Sequence, residues 1–122
     1  MTCKILIVDD NRMIRSSLRS WIEETSGFQV CGEAENGKIA VEQVEAMHPD
    51  IVILDFQMPV MDGLEAARQI SRVAPLTAMV MFTMHPSEEL FRLARAIGVR
   101  EVVSKTDQLS GPLLVALKQI SA

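Results

Sequence analysis

The 122-residue sequence contains no apolar run approaching the roughly 20 residues that cross a bilayer. Its N-terminal MTCKILIVDD lacks the basic region and small-residue cleavage site of a signal peptide, so a cytoplasmic location without membrane contact is expected. Positive charge is also in short supply. The formal net charge of −4 argues against a general electrostatic hold on nucleic acid by this chain itself. There are only two cysteines, Cys3 and Cys31, and they lack metal-ligand spacing. In a reducing compartment they read as small packing residues without a function of their own. Internal repeats, low-complexity tracts and linkers are absent, so residues 1–122 are expected to form one domain. The 48% hydrophobic content supplies enough apolar material for its core.

What is present is an alternation. Short, largely apolar runs at 4–8, 28–33, 51–54, 78–82 and 101–104 are each followed by a longer stretch with helical period. The first such stretch carries Ile14, Leu18, Trp21 and Ile22, the second Ala40, Val44 and Met47, and the third Leu64, Ala67, Ile70 and Ala74. Each set forms one apolar face. The fourth opens at Ser87 with Glu88 and Glu89 and stops at Gly98, and the fifth starts near Pro112 with Leu113, Leu117 and Ile120. Consecutive βα units imply right-handed crossovers and a parallel sheet covered on both faces. The unbroken ILIV and IVIL suit central strands, and the mixed FQVCGE suits an edge.

Two of these runs end in acid: KILIVDD in Asp9 and Asp10, and DIVILD in Asp55. Ligands of open parallel sheets sit beyond the carboxyl ends of the strands. If the first and third runs are neighbours, the three carboxylates converge, each close pair repelling by about 4 kcal/mol at an effective dielectric near 20. A cation must answer them. An all-oxygen carboxylate site suits Mg²⁺, and Lys105, at the end of the fifth run, offers a fixed positive charge. Thr83 adds a hydroxyl at the end of the fourth. Singly, Asp9 or Asp10 reads as a helix cap, Thr83 as a turn hydroxyl and Lys105 as a solvated lysine. Together, a carboxylate nucleophile, a metal, a hydroxyl and an ammonium suit the holding of a phosphoryl group.

Taken in order, ILIVDD, IVILDFQMPVMDG, MVMFT and VVSK resemble the receiver domain of two-component response regulators over essentially the whole chain. The resemblance implies a flavodoxin-like (βα)5 doubly wound sheet with strand order 2-1-3-4-5. It implies that Asp55 is the phosphoacceptor, taking a phosphoryl group from a sensor histidine kinase. Mg²⁺ would be bound by Asp10, Asp55 and the main-chain carbonyl of Gln57, with Asp9 nearby or acting through water. Thr83 and Lys105 would grip the phosphoryl oxygens, and Thr83 would shift the loop and helix over 84–98. Pro59 and Gly63 would shape the loop after Asp55, and Asp62 would cap the third helix. The apolar positions of the fourth and fifth helices, with the fifth strand between them, would form a homodimer or partner face. The chain would not be an enzyme beyond accepting a phosphoryl group and slowly losing it.

Some positions depart from the family's pattern. Val102 stands where many receivers carry a switching aromatic, and Thr106 where many carry proline after the lysine, which removes the usual reason to expect a cis peptide. The long Met84 follows Thr83, where a very small residue is usual, and the resemblance implies that Gln57 and His85 would flank the entry of a hydrolytic water. His85 and His48 read as exposed loop residues, and the methionines at 79, 81 and 84 as adaptable packing. Val102 and Met84 keep open a receiver-like interaction domain that is not regulated by phosphorylation. An aspartyl-nucleophile phosphatase is disfavoured because its DxD arrangement and cap are missing. A flavin carrier of the same fold would need a hydroxyl- and glycine-rich loop where this chain has DDNRM. GVREVVSKTDQL resembles the receivers of helix-turn-helix transcription regulators, which makes transcription the expected output and allows the chain to be the N-terminal module of a longer DNA-binding protein.

Overall fold

The computed structural model describes residues 2–105 and 111–122. Strands and helices alternate as β1 (Cys3–Val8), α1 (Arg12–Glu24), β2 (Phe28–Ala34), α2 (Gly37–Met47), β3 (Ile51–Leu54), α3 (Gly63–Val73), β4 (Ala78–Thr83), α4 (Glu88–Ile97), β5 (Glu101–Ser104) and α5 (Pro112–Ser121). The strands pair in parallel in the order β2-β1-β3-β4-β5, the expected flavodoxin-like arrangement.

The unbroken aliphatic runs reflect the need to cover two faces. In β1, Leu6 and Val8 join a cluster with residues of α2, α3 and α4, whereas Ile5 and Ile7 join a second cluster with Leu18 and Ile22 of α1 and Leu113 and Leu117 of α5. β3 divides the same way, with Val52 and Leu54 on one face and Ile51 and Ile53 on the other. None of these strand residues is more than 1% exposed. At roughly 1.5–3 kcal/mol for each large aliphatic side chain fully buried, the two central strands anchor both halves of the core.

The mixed strand β2 lies at the sheet edge, as expected, and carries a register shift. Ile5 pairs with Val30 and Leu6 with Gly32, leaving Cys31 as an extra residue. Cys3 packs against one cluster and Cys31 against the other, so the thiols are on opposite faces of the sheet. Both are free and half-buried, and burial pushes both above the ordinary thiol range. Neither geometry nor reactivity gives them a role beyond packing.

Helix caps decide where the loops end. Asn11, not Asp9 or Asp10, caps α1; its side-chain oxygen accepts from the Met13 and Ile14 N–H groups at 2.9 and 3.2 Å. The acidic pair is thereby left for other work. Asp62 and Ser87 cap α3 and α4 as expected, accepting from the N–H groups of Glu65 at 2.9 Å and Leu90 at 3.0 Å. Gly98 ends α4 at φ +120°, and His48 ends α2 in the left-handed region at φ +50°. Among the described residues, no helix is long and apolar enough to cross a membrane.

Candidate functional site

Strand register assembles the site. Val8 pairs with Leu54, so Asp9 and Asp55 leave adjacent strands side by side; the Asp55 N–H donates to the Val8 carbonyl at 2.9 Å and the Asp9 N–H to the Ala34 carbonyl at 3.0 Å. Thr83 pairs with Ser104, and the Lys105 N–H donates to the Thr83 carbonyl at 2.8 Å. The ends of β1, β3, β4 and β5 therefore deliver Asp9, Asp10, Asp55, Thr83 and Lys105 to one edge of the sheet. Asp9, Asp55 and Thr83 are buried at 2, 6 and 2% exposure, while Asp10 is exposed at the rim.

The charges in this pocket do not balance. The Lys105 ammonium, on a side chain only 6% exposed, lies 2.6 Å from Asp9 Oδ2 and 3.3 Å from Asp55 Oδ2. One lysine thus faces two buried carboxylates, with Asp10 close by. Asp9 Oδ1 also accepts from the Asn11 N–H at 2.8 Å, and Asp55 Oδ1 from the Phe56 N–H at 2.8 Å. Burial pushes the Asp55 carboxyl above its ordinary range and the Asp9 charge adds to this, outweighing the opposing pull of Lys105 and the Phe56 N–H. An under-compensated carboxylate of this kind is a better nucleophile and a better cation ligand than an exposed one. Carboxylate oxygens from Asp9, Asp10 and Asp55 all lie within 4.8 Å of one another. Hard, all-oxygen ligands at that spacing fit Mg²⁺, whose ligands sit at about 2.0–2.1 Å.

Thr83 Oγ1 accepts from the His85 N–H at 3.3 Å, and the hydroxyl keeps its own proton to donate. His85 and Met84 are exposed, as is Gln57, two residues beyond Asp55. Met84 borders a cleft of about 230 Å³ shared with Asn11, Met13, Ile14, Phe82 and Lys105. A larger cleft of about 330 Å³ lies at the opposite end of the strands, around Cys3, Leu76 and Ile120, and holds no comparable constellation. Val102 is half-buried against the core and lines a surface groove with Pro86 and Phe91, so no aromatic stands at that position to swing inward. Thr106 lies outside the described residues.

The loop after β3 is tightly built. The Met61 N–H donates to the Pro59 carbonyl at 2.7 Å, closing a turn centred on Val60, which holds φ +70° despite its β-branch. The Gly63 N–H donates to the Phe56 carbonyl at 2.7 Å. A Cβ at Gly63 would overlap the Asp55 carbonyl oxygen and lie 2.8 Å from Phe56 Cα, both rigid backbone atoms. Gly63→Ala should therefore cost about 2–3 kcal/mol, typical of overpacking that backbone must absorb. Denaturant unfolding with an unshifted midpoint would contradict this reading of the loop.

Three participants were not singled out from sequence. Asn11 could have been, since an asparagine just before a helix is a preferred cap. The Phe82 ring, 6.0 Å from the Lys105 ammonium, and Arg15, whose Nη1 donates to the Asp9 carbonyl at 2.7 Å, carry no local signal. Lys105 reaches Phe82 from another strand end, and Arg15 meets a main-chain carbonyl, which no side-chain pattern marks.

Comparison with known proteins points one way. Residues 5–111 match the family described as response regulator receiver domain. The chain is 43% identical over 83 residues to a protein-glutamate methylesterase/protein-glutamine glutaminase of Alkalilimnicola ehrlichii, covering 68% of this chain and 21% of that protein. It is 34% identical over 110 residues to the response regulator protein VraR of Staphylococcus saprophyticus, covering 90% of this chain and 53% of that one. A LuxR-family two-component response regulator from Aurantimonas sp. SI85-9A1 superposes with a TM-score of 0.91 at 27% identity, covering 99% of this chain and 86% of that one. The chain thus spans about half the length, or less, of the two sequence relatives.

Proposed function

Because the chain belongs to the response regulator receiver family, a family of signalling domains, we propose that it is a phospho-accepting switch in which Asp55 is the acceptor. An Asp55 oxygen attacks the phosphorus of a sensor kinase's phosphohistidine; the new O–P bond forms as the P–N bond breaks, and the imidazole leaves with a proton. The observation that carries this reading is the buried Asp55 carboxylate, raised by burial and by Asp9 and only partly answered by Lys105.

Receiver domains bind Mg²⁺ at an acidic pocket, and here Asp9, Asp10, Asp55 and the Gln57 main-chain carbonyl would hold it. When bound, the ion supplies positive charge to phosphoryl oxygens. The chain's own residues do the rest. Lys105 already lies 3.3 Å from Asp55 Oδ2, so a short movement takes its ammonium onto a phosphoryl oxygen. Thr83 donates its hydroxyl proton to another, which alters the support it now gives the His85 N–H. The loop and α4 respond. With Val102 at the usual aromatic position, this threonine path carries the switch, and Gln57 and His85 set the lifetime of the phosphoryl group.

We place the domain, residues 1–122, in the cytoplasm. The match to the transcriptional regulatory protein YdfI of Bacillus subtilis, 36% identical over 102 residues and covering 84% of this chain and 47% of that one, supports transcription as its output, acting through a homodimer or partner face on α4, β5 and α5, with no nucleic acid bound by this chain itself and no catalysis beyond phosphoryl acceptance and loss. The methylesterase relative names the other class of output. The test is direct. Incubated with a small phosphodonor and Mg²⁺, the protein should gain one phosphoryl group by intact mass and none once the metal is chelated. No gain, or a gain indifferent to chelation, would overturn the proposal, and an Asp10→Ala variant with unchanged Mg²⁺ dependence would remove Asp10 from the metal site.

A further inference from the structure

Asp9 is held from several sides. Its N–H donates to Ala34 of β2, its carboxylate accepts from Asn11 and Lys105, and its main-chain carbonyl accepts from Arg15 Nη1 at 2.7 Å. That carbonyl belongs to the peptide linking Asp9 to Asp10. Among the described residues, no hydrogen bond or ion pair holds the Asp10 side chain, which is exposed. The peptide plane that Arg15 grips fixes the point from which the Asp10 side chain leaves the backbone.

Arg15 is itself built in. Its side chain is 14% exposed, its Nε pairs with Glu33 Oε1 at 3.1 Å, and the other Glu33 oxygen pairs with Arg19 Nε at 2.6 Å. The Glu33 main chain is tied to α2, where Gln43 Nε2 donates to the Glu33 carbonyl at 2.8 Å. Arg19 also meets Glu23 at 3.1 Å, so two arginines face two glutamates and the cluster projects little net charge towards the pocket. With its charge matched, Arg15 acts through the carbonyl it holds.

We infer that Arg15, oriented by Glu33, is a positioning residue that sets the Mg²⁺ affinity of the Asp9–Asp10 pair by fixing the peptide between them. The inference rests on the metal-binding part of the proposed function and extends it to a residue that touches neither metal nor phosphoryl group. Outer partners that orient metal ligands are typically worth 10–100-fold in affinity.

Mg²⁺ titration calorimetry of the whole chain, well below its melting temperature, needs no phosphorylation and reads this directly. Arg15→Ala should weaken Mg²⁺ binding about 10-fold. Arg15→Lys, which keeps one donor for the carbonyl, should recover most of the loss. Arg19→Ala, which breaks the same ion-pair cluster without touching Asp9, should bind as the wild type does. In the phosphodonor reaction, Arg15→Ala should need more Mg²⁺ for half-maximal rate yet approach the wild-type rate at saturation. Equal or tighter Mg²⁺ binding by Arg15→Ala, or equal losses in Arg15→Ala and Arg19→Ala, would overturn the inference. If Arg15→Ala does not fold, Glu33→Gln decides: it should weaken Mg²⁺ binding several-fold by loosening Arg15, and an affinity equal to the wild type's would overturn the inference. A wild-type chain that binds no Mg²⁺ would defeat the metal reading as well, an outcome separable from all of these.

Discussion

Asp55→Asn is expected to gain no phosphoryl group under conditions that modify the wild type, and to be the more stable protein at neutral pH. The first effect is chemical, since an amide oxygen is too weak a nucleophile to form the acyl phosphate. The second arises from the cost of the site. A carboxyl whose folded-state proton affinity is raised stabilises the fold when protonated. That contribution is full below its unfolded-state range and is lost as pH rises through the folded-state value. At neutral pH the wild type therefore holds a buried charge pressed by Asp9, and the amide relieves it while still accepting from the Phe56 N–H. Lys105 retains its closer partner, Asp9, at 2.6 Å. The gain should be about 1 kcal/mol, or roughly 4 °C in melting temperature for a domain of this size. It should vanish in melts run below the ordinary carboxylate range. A variant less stable than the wild type at neutral pH would show that Lys105 fully compensates Asp55.

Lys105→Ala should do the opposite. The lysine is the one ammonium within ion-pair distance of Asp9 and Asp55 among the described residues, and its side chain is 6% exposed. Removing one partner from a buried pair and leaving the other charged typically costs 3–5 kcal/mol, and here two carboxylates are left behind. A loss of about 3 kcal/mol is expected by denaturant unfolding without divalent metal. Because Mg²⁺ would bind the folded site and not the unfolded chain, adding it should return part of the loss by mass action. Adding Asp55→Asn to the lysine variant should also recover stability, by more than the same change yields in the wild type, because the two sites are in contact. Additive effects in that double variant would contradict the shared-charge description of the pocket. Unchanged phosphoryl gain in Lys105→Ala would separately contradict its role in gripping the phosphoryl oxygens.

Legibility in the sequence tracks the range of each interaction. Strand bounds were legible to within a residue because ILIV and IVIL lie on both faces of the sheet and stop where a charge begins. The cap Ser87 and the stop at Gly98 were legible because capping chemistry is local, while the cap Asp62 was expected from the family resemblance. The acids converged as expected, for a reason visible in the register: Val8 and Leu54 are paired, so the residues that come after them must meet. The division of Lys105 was not legible. Its ammonium lies nearer Asp9 than Asp55, a matter of tenths of an ångström that no spacing encodes. Arg15 was invisible for a related reason, since its role exists only once α1 lies against the end of β2. Gly63 was expected to shape the loop, but the necessity of glycine comes from the Asp55 carbonyl folding back against it.

The most direct measurement distinguishes the three carboxylates by chemistry. Borohydride reduces an acyl phosphate to the alcohol, turning a phosphorylated aspartate into homoserine while leaving free carboxylates untouched. Wild-type protein charged by a small phosphodonor with Mg²⁺, quenched with borohydride, digested and mapped by mass spectrometry should carry homoserine at position 55 and unaltered Asp9 and Asp10. Homoserine at position 9 or 10, or aspartate at all three positions in protein whose intact mass had shown a phosphoryl group, would contradict the assignment of Asp55 as the acceptor.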